Sequence, residues 1–142
     1  VLVTSIRQIT ESEIPGLLLV LSGTVAGGFP SPAADYYLPP ISLDELVELR
    51  APHVFLAEAE GDSMAPAAIL TRTKLIVDRA RTPYAGLVVV AYVDNQPVVK
   101  RLAKRSDETL FLSSDNPNYP PIEGENIDIF GVVTWSLTRH VP

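Results

Sequence analysis

From residue 54 onward, apolar and polar positions fall into short runs with a period of two. VFLAEAE (54–60) alternates, LIVD (75–78) and GLVVVAYVD (86–94) are dense in β-branched residues, and PVVKRL (97–102), TLFLSS (109–114) and IDIFGVVTWSLT (127–138) continue the series. Runs of this kind, bounded by turn-forming residues, read as strands. Asp94 and Asn95 stand between two of them and mark a hairpin. Helical spacing occurs in SLDELVELR (42–50), where Leu43, Leu46 and Val47 share a face. Ser42 stands at the N-cap position there, with Glu45 as its capping-box partner. The pattern predicts a mostly β domain of short, twisted strands with one short helix, over residues 41–142.

Residues 1–40 break this pattern. Their apolar pieces are short and are interrupted by Pro15, Gly16, Gly23, Gly27, Gly28, Pro30, Pro32, Pro39 and Pro40. Two adjacent glycines free the backbone and the prolines after them favour an extended chain, so this stretch reads as a mobile N-terminal arm. An arm of that kind suits presentation as a strand-like peptide to a protease cleft. GLLLVLSGTVAGG (16–28) imitates an export signal, but Glu11 and Glu13 flank it where basic residues belong, and its apolar run ends at Ser22.

Composition narrows the classes of function. A chain of 142 residues suits one domain and one active site. With no cysteine there is no disulfide framework and no thiolate metal site, which fits a reducing, cytoplasmic setting. The formal charge is −6, and only Lys100, Arg101, Lys104 and Arg105 cluster among the basic residues, so direct DNA binding is not expected. No run approaches the roughly 18 apolar residues of a membrane span. No cofactor or metal is expected.

Two side chains remain as candidate chemistry. Ser63 lies in GDSM (61–64), and Gly-Asp-Ser is ordinary turn chemistry. Ala65 stands where the nucleophile elbow of an α/β-hydrolase needs glycine. His53 and His140 read as surface residues rather than triad bases. Lysine is the other possible activator. Lys100 interrupts a β-branched strand, and alternation puts it on one face with Val98 and Leu102. Such a lysine is either an edge-strand charge that discourages aggregation or a partly buried amine. Lowering its pKa from about 10.4 to near 7 costs roughly 4 kcal/mol, which desolvation can supply.

Taken together, GGFPSPAADYY (27–37), EGDSM (60–64), KLIVDRA (74–80), VVKRL (98–102) and DIFGVVTW (128–135) resemble, in order, the UmuD-like SOS mutagenesis proteins of the LexA-type Ser-Lys autopeptidase family, peptidase S24. The resemblance implies a twisted β domain like those of LexA and the signal peptidases. It makes Ser63 the nucleophile and Lys100 the general base, with Gly61, Asp62 and Met64 supporting the nucleophile loop. The self-cleavage site falls at Ala26, Gly27 and Gly28. An ungapped alignment cuts Gly27-Gly28, whereas Ala26-Gly27 matches the family's chemistry better and is preferred. LTRTK (70–74) departs from the Asp-Gly-Asp type of turn found in relatives, outside the proposed dyad.

The same resemblance implies an SOS-response protein that removes its own arm when stimulated by a RecA filament on single-stranded DNA. The product would be an accessory subunit of a UmuC-like translesion polymerase. A homodimer is implied as well, with the last strand as a candidate interface. An arm this short has no room for the helix-turn-helix domain of a full repressor. Two alternatives keep the fold, a non-cleaving regulatory binding module and a protease acting on other chains.

Overall fold

A computed structural model of the chain describes residues 2–8, 42–124 and 127–142. Among these described residues seven strands run β1 (Leu2–Arg7), β2 (Val54–Glu60), β3 (Lys74–Asp78), β4 (Val88–Val93), β5 (Gln96–Lys104), β6 (Leu110–Ser113) and β7 (Ile127–Leu137). One helical turn, α1 (Leu43–Leu46), precedes β2. The runs read from period two after residue 54 all appear as strands. The Asp94-Asn95 hairpin forms too, with φ of 51° and 65°, the left-handed pair that matches strand twist.

The strand order is β1-β2-β3-β7-β4-β5-β6, every pair is antiparallel, and β1 also reaches β5 through Leu2↔Val98. That last pairing closes six strands into a ring, with β6 branching from β5. Val3, Ala57, Ala59, Leu75, Val77, Val90 and Val99 converge inside it, joined by Met64 and Ile69 from the connection between β2 and β3. A second cluster of Val89, Ala91, Val98, Leu102, Leu112 and Val132 covers the other face of β4 and β5.

Two local features differ from the sequence reading. The helix is a single turn because Glu48 adopts φ 57°, and Ser42 makes no side-chain capping bond. Residues 2–7, read as part of the arm, form a strand. Their alternation is concealed by a bulge at Thr4, which shifts the register after Val3 and lets both Val3 and Ile6 turn toward the ring's interior.

The bulges of β7 shape the ring. Register shifts opposite Ile76/Val77 and Val90/Ala91 each leave an extra residue in β7, so the strand can bend across both neighbours. Gly131 lies between the bulges, where a Cβ would come within 2.9 Å of Val77 Cγ1 and 3.0 Å of the Asp78 carbonyl oxygen. We expect Gly131→Ala to lower stability by about 1–3 kcal/mol in urea unfolding. An unchanged midpoint would show that the β3–β7 contact is softer than the geometry implies.

Candidate active site

Ser63 and Lys100 are 37 residues apart and meet in the fold. Lys100 Nζ donates to Ser63 Oγ at 2.8 Å and to Ser114 Oγ at 2.8 Å. Both members of the pair are buried, with Ser63 1% and Lys100 5% exposed.

The nucleophile loop leaves β2 through Gly61, whose φ of 107° only glycine adopts without strain. Its N–H donates to Thr71 Oγ1 at 2.9 Å. After Ser63 the chain drops Met64, fully buried, into the ring interior and then makes a 3-10 turn over Ala65–Ala67. Ser63 is therefore held between a glycine hinge and an apolar plug, and its hydroxyl meets the amine on the outer face of β5.

Lys100 stands in a strand paired on both sides, opposite Val89 of β4, with β1 at Val98 and β6 from Arg101 onward. Its position is interior, so an edge-strand role does not apply. Val98 and Leu102 share its face, as alternation predicts, and both are buried. Desolvation pulls the ammonium below its ordinary pKa of 10.5. The Tyr119 ring centroid lies 5.4 Å from Nζ.

Sequence reasoning did not single out the 114–119 loop, which completes the surroundings. Ser114 gives the amine its second oxygen. Asp115 and Arg101 pair through two bonds of 2.8 and 2.7 Å, which fixes the loop next to the strand that carries Lys100. The Asn116 N–H donates to the Ser63 carbonyl at 2.9 Å, and its side-chain amide donates to the Asp62 carbonyl at 3.2 Å. Tyr119 donates its hydroxyl to Asp62 Oδ1, and that carboxylate raises the phenol's pKa. The only sequence signal was the Ser-Asp-Asn-Pro-Asn-Tyr run itself, which composition marks as a turn.

His53 precedes β2 and Ser63 follows it, so a strand about 20 Å long separates them. His53 Nε2 faces Asp78 at 3.9 Å, and His140 is exposed near residue 142. Ala26, Gly27 and Gly28 lie outside the described residues. Among the described residues no helix is long and apolar enough to cross a membrane.

A lysine amine within hydrogen-bond reach of a buried hydroxyl can accept its proton once the amine is neutral. Comparisons with known proteins identify the family. Residues 19–134 match the family described as Peptidase S24-like. The chain is 40% identical over 112 residues to Protein ImpA of Salmonella typhimurium, covering 79% of this chain and 77% of that one. It is 35% identical over 118 residues to Protein MucA of Escherichia coli, 82% of this chain and 81% of the other. To the LexA repressor of Syntrophotalea carbinolica it is 33% identical over 141 residues, 94% of this chain and 65% of the repressor.

The buried amine makes stability depend on pH. Because its folded pKa is lowered, the unfolded chain binds more protons between that value and 10.5, so the cost of the buried charge is full below the window and disappears as pH rises through it. We expect wild type to gain stability relative to Lys100→Met across that window in paired urea titrations. A difference that stays flat with pH would mean that Lys100 carries no desolvation cost.

Proposed function

The chain belongs to the peptidase S24-like family as a UmuD-like, LexA-type member, and from that premise we propose that it is an SOS-response autopeptidase that cuts its own arm with a Ser63–Lys100 dyad. The observation that carries the reading is the 2.8 Å contact between Lys100 Nζ and Ser63 Oγ, with both groups buried.

In this reading neutral Lys100 takes the Ser63 proton as Oγ attacks the carbonyl of Ala26, or of Gly27 in the alternative register. The tetrahedral oxyanion would be met by backbone N–H groups of the nucleophile loop. Protonated Lys100 then gives its proton to the departing amine of the next glycine as the C–N bond breaks, leaving an ester on Ser63. Water, deprotonated by Lys100, hydrolyses that ester, so the arm ends in a carboxylate and Ser63 regains its hydroxyl. Ser114 would hold the amine in line by occupying its second hydrogen bond, and the 114–119 loop would keep Ser63 from swinging away.

The product would join an error-prone, UmuC-like translesion polymerase. A RecA filament on single-stranded DNA would stimulate the cut by favouring the conformer with the arm in the cleft, without supplying a catalytic group. The peptidase unit would occupy residues 41–142 and the cleavable segment would precede it. A homodimer through the second half of β7 is supported by its one-sided pairing, since residues 133–137 pair with β3, and by Trp135, 46% exposed.

Intact mass against time, from about pH 7 to about pH 10, tests the reading. We expect a fragment starting at Gly27, or at Gly28 in the other register, to appear faster as pH rises and to be absent in Ser63→Ala and Lys100→Ala. Wild type that stays whole even beside a RecA filament would leave a non-cleaving binding module of the same fold.

A further inference from the structure

The turn LTRTK (70–74), which stands apart from the dyad in sequence, brackets the nucleophile segment in the fold. That segment leaves β2 after Glu60, carries Ser63, and enters β3 at Lys74. Thr71 holds its entry: Oγ1 accepts the Gly61 N–H at 2.9 Å, just ahead of the nucleophile. Thr73 and Thr138 hold its exit. Thr138 Oγ1 donates to the Ala68 carbonyl at 2.9 Å, and Thr73 Oγ1 lies 3.3 Å from Thr138 Oγ1 while accepting the Leu70 N–H at 3.0 Å. A hydroxyl has one hydrogen to give, so Thr73 is the donor of that pair. The bonds therefore run in one direction, from the Leu70 N–H through Thr73 and Thr138 to the Ala68 carbonyl.

Both ends of this arrangement rest on firm structure. Arg72 N–H donates to the Ala59 carbonyl at 2.7 Å and Ala59 N–H to the Thr73 carbonyl at 2.9 Å, so the turn extends the β2–β3 ladder. Thr138 directly follows the last residue of β7. Thr73 is only 1% exposed, and its hydroxyl is satisfied there on both sides. Ala68 and Arg72 have φ of 61° and 73°, left-handed backbone that residues other than glycine keep only where the surroundings hold it. From Ala68 the connection back to Ser63 is short. Its N–H donates to the Ala65 carbonyl at 2.8 Å, and the Ala67 and Ile69 N–H groups donate to the carbonyl of Met64, the residue after the nucleophile.

A misplacement of about 1 Å at a reacting atom costs roughly a hundredfold in rate. Ser63 sits on a connection between two strands, where a segment held at one end only could swing by that much. We propose that Thr71, Thr73 and Thr138 are positioning residues for the Ser63 chemistry: their hydroxyls fix the entry and the exit of the nucleophile segment and so keep Oγ on Lys100. This rests on the reading of Ser63 as the nucleophile. The three groups are neutral and act through the backbone at Gly61 and Ala68. They set the alignment of the dyad and leave the amine's affinity for its proton unchanged.

The test pairs two measurements on the full chain. Thr71 is exposed, so Thr71→Val removes an acceptor without disturbing the core. In a Ser63→Ala background, where cutting by this serine plays no part, deuterium exchange reads the segment itself. The reporter is the Asn116 N–H, which lies on a separate loop and donates to the backbone carbonyl of residue 63 at 2.9 Å. We expect Thr71→Val and Thr138→Val each to speed its exchange at least about tenfold, while the β5 amides keep their protection. With Ser63 intact, self-cleavage followed by intact mass should fall at least about tenfold at its high-pH plateau in both valine variants. The pH midpoint should not move, and Thr71→Ser and Thr138→Ser should restore the plateau. Unchanged Asn116 exchange would overturn the proposal, and so would a wild-type plateau in the valine variants. A moved midpoint would overturn it too, by showing that the hydroxyls act on the amine, as would serine variants as slow as the valine ones. Wild type that stays whole would sink the autopeptidase reading alone, and the exchange measurement would still decide whether these hydroxyls hold the segment.

Discussion

An amine taken out of water next to a hydroxyl is the constraint around which the rest of this molecule is arranged. Lys100 is held in an interior strand between Val98 and Leu102, so its charge is costly and its neutral form is favoured. A lysine free in solvent would stay protonated at neutral pH and could not act as a base. The sheet therefore acts as an apolar wall that weakens the amine's hold on its proton. The oxygens of Ser63 and Ser114 satisfy the amine's hydrogen bonding there without adding an opposite charge that would hold the proton in place.

Positioning the hydroxyl is a separate problem, and the fold solves it with two anchors and a clasp. Gly61 turns the chain away from β2, and Met64 plugs it into the ring interior, so the hydroxyl of Ser63 has little freedom to drift. The 114–119 loop then bonds to this segment from above through Asn116 and Tyr119, while Arg101 and Asp115 tie that loop to the lysine's own strand. The two reacting groups are thus linked through the backbone of one loop as well as through their direct contact. The close pairing of β5 on both sides fixes the strand that carries the amine.

Closure of the ring has the opposite character. The strands that carry the site are held by dense apolar contact, whereas β1 seals the barrel with a bulged strand and two anchors. β2 and β5, which carry the site, bury three or more side chains each, while β1 buries one.

Much of this was legible in residue order alone. Period two and β-branched runs place β2 to β7, and Asp94-Asn95 sets the hairpin, because strand alternation and turn conformation are local properties of the chain. Gly61, Ser63, Met64 and Lys100 could be singled out through a resemblance spread over several motifs. The strand at 2–7 could not, because the bulge at Thr4 breaks the alternation by which a strand is recognised. Nor could Ser114, Asn116 and Tyr119, since polar loop residues carry no periodicity and their partners lie about fifty residues or more away for Asn116 and Tyr119. Whether Lys100 stood at an edge or in the interior was equally undecided, because neighbours in a sheet are set by topology and not by spacing. The sequence by itself determined which segments are strands and which side chains could react. Only the tertiary structure decided that the amine is buried, that it touches the hydroxyl, and that β1 closes the ring against β5, since burial and contact arise between segments far apart in the chain.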